Sequence, residues 1–92
     1  MIEVCALCGL PPTWDDSLDR HHIFGGPCRR LSEQDGLVVP LHHYKCHIYG
    51  ERAVHRCRTS DLEIKQKGER AWLAKTGKTQ QDFVHRYGRN YL

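Results

Sequence analysis

Apolar positions along this chain change period once. Before Cys57 they come in short blocks, Ile23-Phe24 and Leu37-Val38-Val39, bounded by glycine, proline and charged residues. Such blocks predict two short strands joined by a connection that carries Gly25-Gly26-Pro27 and Arg29-Arg30, with Pro40 closing the second strand or placing it at an edge. After Cys57 the spacing turns helical. Ser60 with Glu63 fits a capping box, Leu62, Trp72 and Leu73 give an irregular apolar face, and Gly77 supplies a stop. Gly68 costs such a helix ~1 kcal/mol relative to alanine. A second, short helix is expected from Thr79, with Asp82 three residues on, Phe83, Val84 and Tyr87 turned inward and Gly88 at its end.

Near the start, Leu10-Pro11-Pro12-Thr13 interrupts any regular element, because proline fixes φ and removes a donor. Trp14 is then expected to fold back as a core anchor. Asp15, Asp16 and Asp19 read as a solvated acidic loop.

Composition sharpens this outline. Ninety-two residues make one small domain, 1–92, with little surface to bury, so something besides an apolar core is expected to hold it. Histidine and cysteine are frequent, seven and five respectively, and an odd cysteine count argues against a closed disulfide framework. No apolar run approaches the ~20 residues of a membrane span. Met1-Ile2-Glu3-Val4 lacks the charged-then-apolar order of a signal peptide, so a cytoplasmic location with reduced thiols is expected. The net charge of +3 permits nucleic-acid binding without demanding it.

Cys5-Ala6-Leu7-Cys8-Gly9 has the knuckle spacing that presents two sulfurs to one tetrahedral zinc, although a redox pair or two unrelated thiols share that spacing. His43 and Cys46 repeat it, and the two pairs together are a stronger zinc signal than either alone. His42 competes with His43 for the fourth position, and the spacing favours His43. A structural zinc can supply ~10–16 kcal/mol, comparable to the whole stability of a small domain. Cys28 and Cys57 are expected to be half-buried apolar residues.

Arg20-His21-His22-Ile23 sets two imidazoles side by side on an extended segment. Neighbouring strand residues face opposite ways, so one can hold a metal while the other acts as a base. Phosphodiester hydrolysis needs both: a neutral imidazole suits the removal of a proton from water, and a divalent cation suits the developing charge and the leaving oxygen.

His21-His22-Ile23, Leu37-Val38-Val39-Pro40-Leu41 and Cys46-His47, preceded by Cys5 and Cys8, resemble the HNH (ββα-metal, or His-metal finger) endonuclease family. His22-Ile23-Phe24-Gly25-Gly26-Pro27, His55 and Tyr87-Gly88-Arg89-Asn90-Tyr91-Leu92 are similar, more narrowly, to small HNH-like proteins of phages and prophages. The resemblance implies an α+β, zinc-stabilised ββα-metal core over residues 1–58, a short helix opening near His43, and a helical C-terminal scaffold over 59–92. It implies a DNA endonuclease or nickase in the bacterial host cytoplasm, with His22 as general base. His21 and His47 would be ligands of a catalytic Mg²⁺, Mn²⁺ or Ni²⁺, with His55 a third ligand or a phosphate contact. Cys5, Cys8 and Cys46 match the family's structural zinc positions. Arg29, Arg30 and Lys45 would contact the phosphates of the DNA, expected to be duplex. The alternative is a zinc-stabilised nucleic-acid-binding module without catalysis, an accessory of recombination. Where the family carries an asparagine before the return strand this chain has Asp35-Gly36, which leaves open what orients His22.

Overall fold

The computed structural model describes residues 3–92; Met1 and Ile2, half of the segment read above for a leader, lie outside the described residues. Strand β1, Leu18–His22, pairs antiparallel with β2, Val38–His42, with Leu18 opposite His42 and His22 opposite Val38. β1 lies earlier than expected. Ile23 makes one further backbone bond, to the Leu37 carbonyl at 3.0 Å, and both Ile23 and Phe24 are buried in the core.

Pro40 sits inside β2, opposite Arg20. The Ile23–Leu37 and His43–Ser17 bonds put every second pair on the ladder, and the Arg20–Pro40 pair falls between them. The missing N–H therefore costs the ladder nothing. The Pro40 carbonyl faces away from β1 and accepts the Ala6 N–H at 2.8 Å, docking the N-terminal knuckle on the sheet edge.

The connection between the strands is more ordered than the sequence suggested. A 3₁₀ turn, Gly26–Cys28, runs into helix α1, Arg29–Gln34. Buried Ser32 pins it: the hydroxyl donates to the Leu37 carbonyl at 2.6 Å and accepts from the Phe24 N–H at 3.2 Å. After β2 the expected short helix takes the form of a π-helical turn, His43–Ile48. Asp16 caps it, its two carboxylate oxygens accepting the Tyr44 and Lys45 N–H groups at 2.8 and 3.1 Å. The acidic loop is thus partly structural.

Helix α2, Arg58–Thr76, starts earlier than expected, with Cys57 at its cap, so Ser60 lies inside it and the Ser60–Glu63 capping box does not form. Its packed face is Ser60, Ile64, Gly68 and Trp72, four residues apart and therefore on one side. Leu62, assigned to that face from the sequence, is exposed. At Gly68 the helix packs tightly: a Cβ there would lie 2.9 Å from Ile23 Cγ2 and 3.2 Å from Phe24 Cε2. The residue that weakens the helix is what lets it lie on the segment following β1.

Helix α3, Gln80–Tyr87, has the expected Thr79–Asp82 capping box and inward Phe83 and Tyr87. The helices end at Gly77 and Gly88, both left-handed at φ +69° and +93°. Aromatic rings join these helices to Phe24, whose centroid lies 5.5 Å from that of Phe83 and 4.7 Å from that of Tyr87. Trp14 corrects the sequence reading. It is 98% exposed on a turn closed by the Thr13–Asp16 bridge, which presents the ring to solvent instead of the core. Among the described residues no helix is long and apolar enough to cross a membrane.

Candidate metal centres

The knuckle is formed by Gly9 N–H donating to the Cys5 carbonyl and Cys5 N–H to that of Leu10, at 2.8 and 2.9 Å. It carries Cys5 and Cys8 to the end of β2 and the π-helical turn. There Cys5, Cys8, His42 and Cys46 each offer one ligand atom, all within 4.8 Å of one another. The histidine is His42, and His43, favoured by its spacing, is not in the group. Consecutive side chains on extended backbone face opposite ways, and His42 has extended backbone (φ −56°, ψ 127°). Only one of the two imidazoles can meet the sulfurs.

His42 Nε2–H donates to the Pro11 carbonyl at 2.8 Å. In the neutral ring that leaves Nδ1 unprotonated, 3.3 Å from Cys8 Sγ and 3.9 Å from Cys46 Sγ, the arrangement in which an outer hydrogen bond fixes a ligand's tautomer. Burial opposes ionisation of Cys5, yet the backbone groups of Cys8, His42 and Leu7 hold its thiol down to about 6. Burial, followed by the neighbouring Cys5 and Cys8, pushes Cys46 up to about 12. Three thiols this close cannot all ionise unless a cation joins them. The Cys3His set is able to bind a metal such as zinc, which takes such ligands tetrahedrally.

A second group lies on the other side of the π-helical turn. His21 from β1, His47 from the turn and His55 from the loop beyond it bring ligand nitrogens within 4.8 Å. Backbone pairing sets the last two, with His55 N–H donating to the His47 carbonyl at 3.1 Å. His47 Nδ1–H donates to Asp19 at 2.8 Å, which turns Nε2 toward His55 Nε2, 3.0 Å away. Asp19 also accepts from His43 Nδ1 at 2.6 Å. Burial opposes the ionisation of Asp19, but its hydrogen bonds to His47 and His43 hold its carboxyl below the ordinary range.

His21 is buried, and its Nε2 has no hydrogen-bond partner among the described residues. Burial first, then the nearby His47 and His55, depress its pKa to about 4. A neutral, unpartnered nitrogen facing two further imidazoles fits a divalent cation, which would satisfy it.

His22 faces the opposite way from His21, as alternation requires. Its Nε2 lies 2.7 Å from Glu33 Oε2, and Arg20 donates to both oxygens of that carboxylate at 3.2 and 3.1 Å. His21, His22, His47 and His55 line one cavity of about 570 Å³, with Arg20, Arg29 and Lys65 among its basic residues. Arg29 also lines the adjoining depression, which holds Arg30. Lys45 lies elsewhere, beside Cys8 and Cys46, so the structure does not bring it to the histidines. Cys28 donates to the Tyr87 carbonyl and Cys57 occupies the N-cap position of α2 without a side-chain capping bond, both outside these groups.

Asp35, which precedes the return strand, does not reach His22. Its carboxylate accepts from Trp72 Nε1, Arg86 and the Tyr87 hydroxyl. The sequence reading missed Asp19, Glu33 and Lys65. Asp19 carried a signal, standing two residues before His21 and hence on the same face of β1. Glu33 and Lys65 arrive through tertiary packing of α1 and α2 and carried none. No protein-family model matches the chain, and no curated protein or solved structure matches it either.

Proposed function

We propose that this chain is a metal-dependent DNA endonuclease or nickase of the HNH type, as its sequence resemblance implies. The observation that carries the reading is the buried, unpartnered Nε2 of His21 beside His47 and His55, in the cavity that His22 also lines. His21, His47 and His55 would hold the divalent ion, which supplies charge neutralisation at the phosphate and stabilisation of the leaving oxygen. His22 takes the proton of the attacking water, a task an imidazole suits. Asp19 keeps His47 Nε2 turned inward. Arg29 and Arg30 form no ion pair among the described residues, which leaves their guanidinium groups available to backbone phosphates. The order of strand, strand and helical turn is compatible with a ββα-metal core, and the Cys5, Cys8, His42, Cys46 group would hold its structural zinc.

Supercoiled plasmid incubated with Mg²⁺, Mn²⁺ or Ni²⁺, with EDTA as control, should be nicked by the wild type and left intact by His22→Ala. Nicking by His22→Ala at the wild-type rate would remove the mechanism. A zinc-stabilised binding module without catalysis is favoured by one observation, that Asp35 is turned away from His22 into a structural network. It would shift the plasmid's mobility with every ion and never nick it.

A further inference from the structure

Proton abstraction by an imidazole works best when one ring nitrogen is held and the other is free. Helix α1 supplies a group that does the holding. Arg20 and His22 are two residues apart on β1 and share a face, and Glu33 bridges them, one carboxylate oxygen 2.7 Å from His22 Nε2 and both in reach of Arg20. Arg20, followed by His22, holds the Glu33 carboxyl below its ordinary range. A carboxylate oxygen accepts, so the hydrogen in this contact belongs to His22 Nε2, and Nδ1 is the ring nitrogen left without a partner among the described residues.

We infer that Glu33 is the positioning residue of His22, doing from α1 what an asparagine before the return strand does in the family this chain resembles. The role rests on the nuclease reading, and its geometry does not. The Arg20 and Glu33 side chains are 67% and 48% exposed, and an ion pair so open contributes little to stability. Orientation is what it can supply. Arg20 anchors the carboxylate, which leaves Arg29 and Arg30 for phosphates.

The test uses the full chain, zinc-loaded, with two readouts. In wild type, proton NMR at low temperature should show a downfield, exchange-protected Nε2–H resonance, assigned to His22 by its loss in His22→Gln. Glu33→Ala should lose that resonance with zinc content and melting unchanged, and Glu33→Gln, whose amide oxygen still accepts, should keep it. In Mn²⁺-dependent plasmid nicking, Glu33→Ala should lower kcat by ~10–100-fold, the usual range for loss of an outer-sphere partner, at unaltered KM. Arg20→Ala should give a smaller loss of the same kind.

An unchanged resonance in Glu33→Ala overturns the inference, as does an unchanged kcat in an active enzyme. If the wild type nicks nothing with any divalent ion while the resonance still depends on Glu33, the positioning stands and the nuclease reading falls.

Discussion

Two of the metal-type groups use similar residues in opposite ways. Around Cys5, Cys8, His42 and Cys46 the ligands are packed together, and the far nitrogen of the one imidazole is spent on a backbone carbonyl. Around His21, His47 and His55 the ligands are three imidazoles, and one nitrogen, His21 Nε2, has nothing to bond among the described residues. A cavity opens beside them. Structural zinc sites are closed by four protein ligands, whereas catalytic sites keep a position open. Three histidines beside a cavity leave a position open, and three thiols with a histidine leave none. Which residues are present matters less here than how many positions they leave.

This contrast can be broken at either end. The largest effect is expected from Cys5→Ser, which should abolish cooperative melting, because a zinc held there would contribute an amount comparable to a small domain's whole stability. A normal melting curve with one zinc fewer would show that the closed site does not hold the fold. Asp35→Asn should cost about 2–3 kcal/mol by chemical denaturation, the scale of hydrogen bonds to a charged group, with both metal stoichiometries retained. Asp35 is partly buried, which opposes ionisation, but Arg86, Tyr87 and Trp72 outweigh this and hold its carboxyl below the usual range. Its contribution is therefore complete above the unfolded value and is lost as pH falls through the lower folded one.

Gly68→Ala should cost about 1–2 kcal/mol, overpacking against Ile23 and Phe24 exceeding the helix preference gained. Its sharper readout is His22, one residue from the displaced segment: weaker nicking at unchanged zinc content is expected. The smallest stability effect belongs to His21→Ala, within about 1 kcal/mol at neutral pH, since an unpartnered group is removed. It should nevertheless abolish the second metal equivalent measured by elemental analysis. The folded metal-free chain resists protonating His21 until about pH 4, while the unfolded chain takes up that proton near 6.5. Stability should accordingly fall as pH drops through that window, and His21→Ala should flatten that part of the profile.

Much of the scaffold was legible in the sequence because its signals are local. The Thr79–Asp82 box, the stop at Gly77 and the cysteine knuckle are settled within a few residues. The errors share a physical origin in packing. Ser60 looked like a cap and lies inside α2, because the chain enters the helix at Cys57. Trp14 looked like core by size, yet the Thr13–Asp16 turn presents it outward. His43 had the attractive spacing to Cys46, but the side of the strand end, and not the count of intervening residues, decides which imidazole meets the sulfurs. The histidine group was legible as residues without a geometry. Its supports, Asp19 and Glu33, come from a strand face and a helix that a linear count does not display.

The π-helical turn His43–Ile48 gives adjacent residues to the two groups, Cys46 to one and His47 to the other. A single peptide bond is thus common property of both, and any shift in its path is felt on either side. One residue added or deleted between 43 and 48 would rotate one ligand away whichever register the chain chose. Metal filling one group should therefore be felt at the other, and a titration of the stripped protein followed at both is the measurement that checks it.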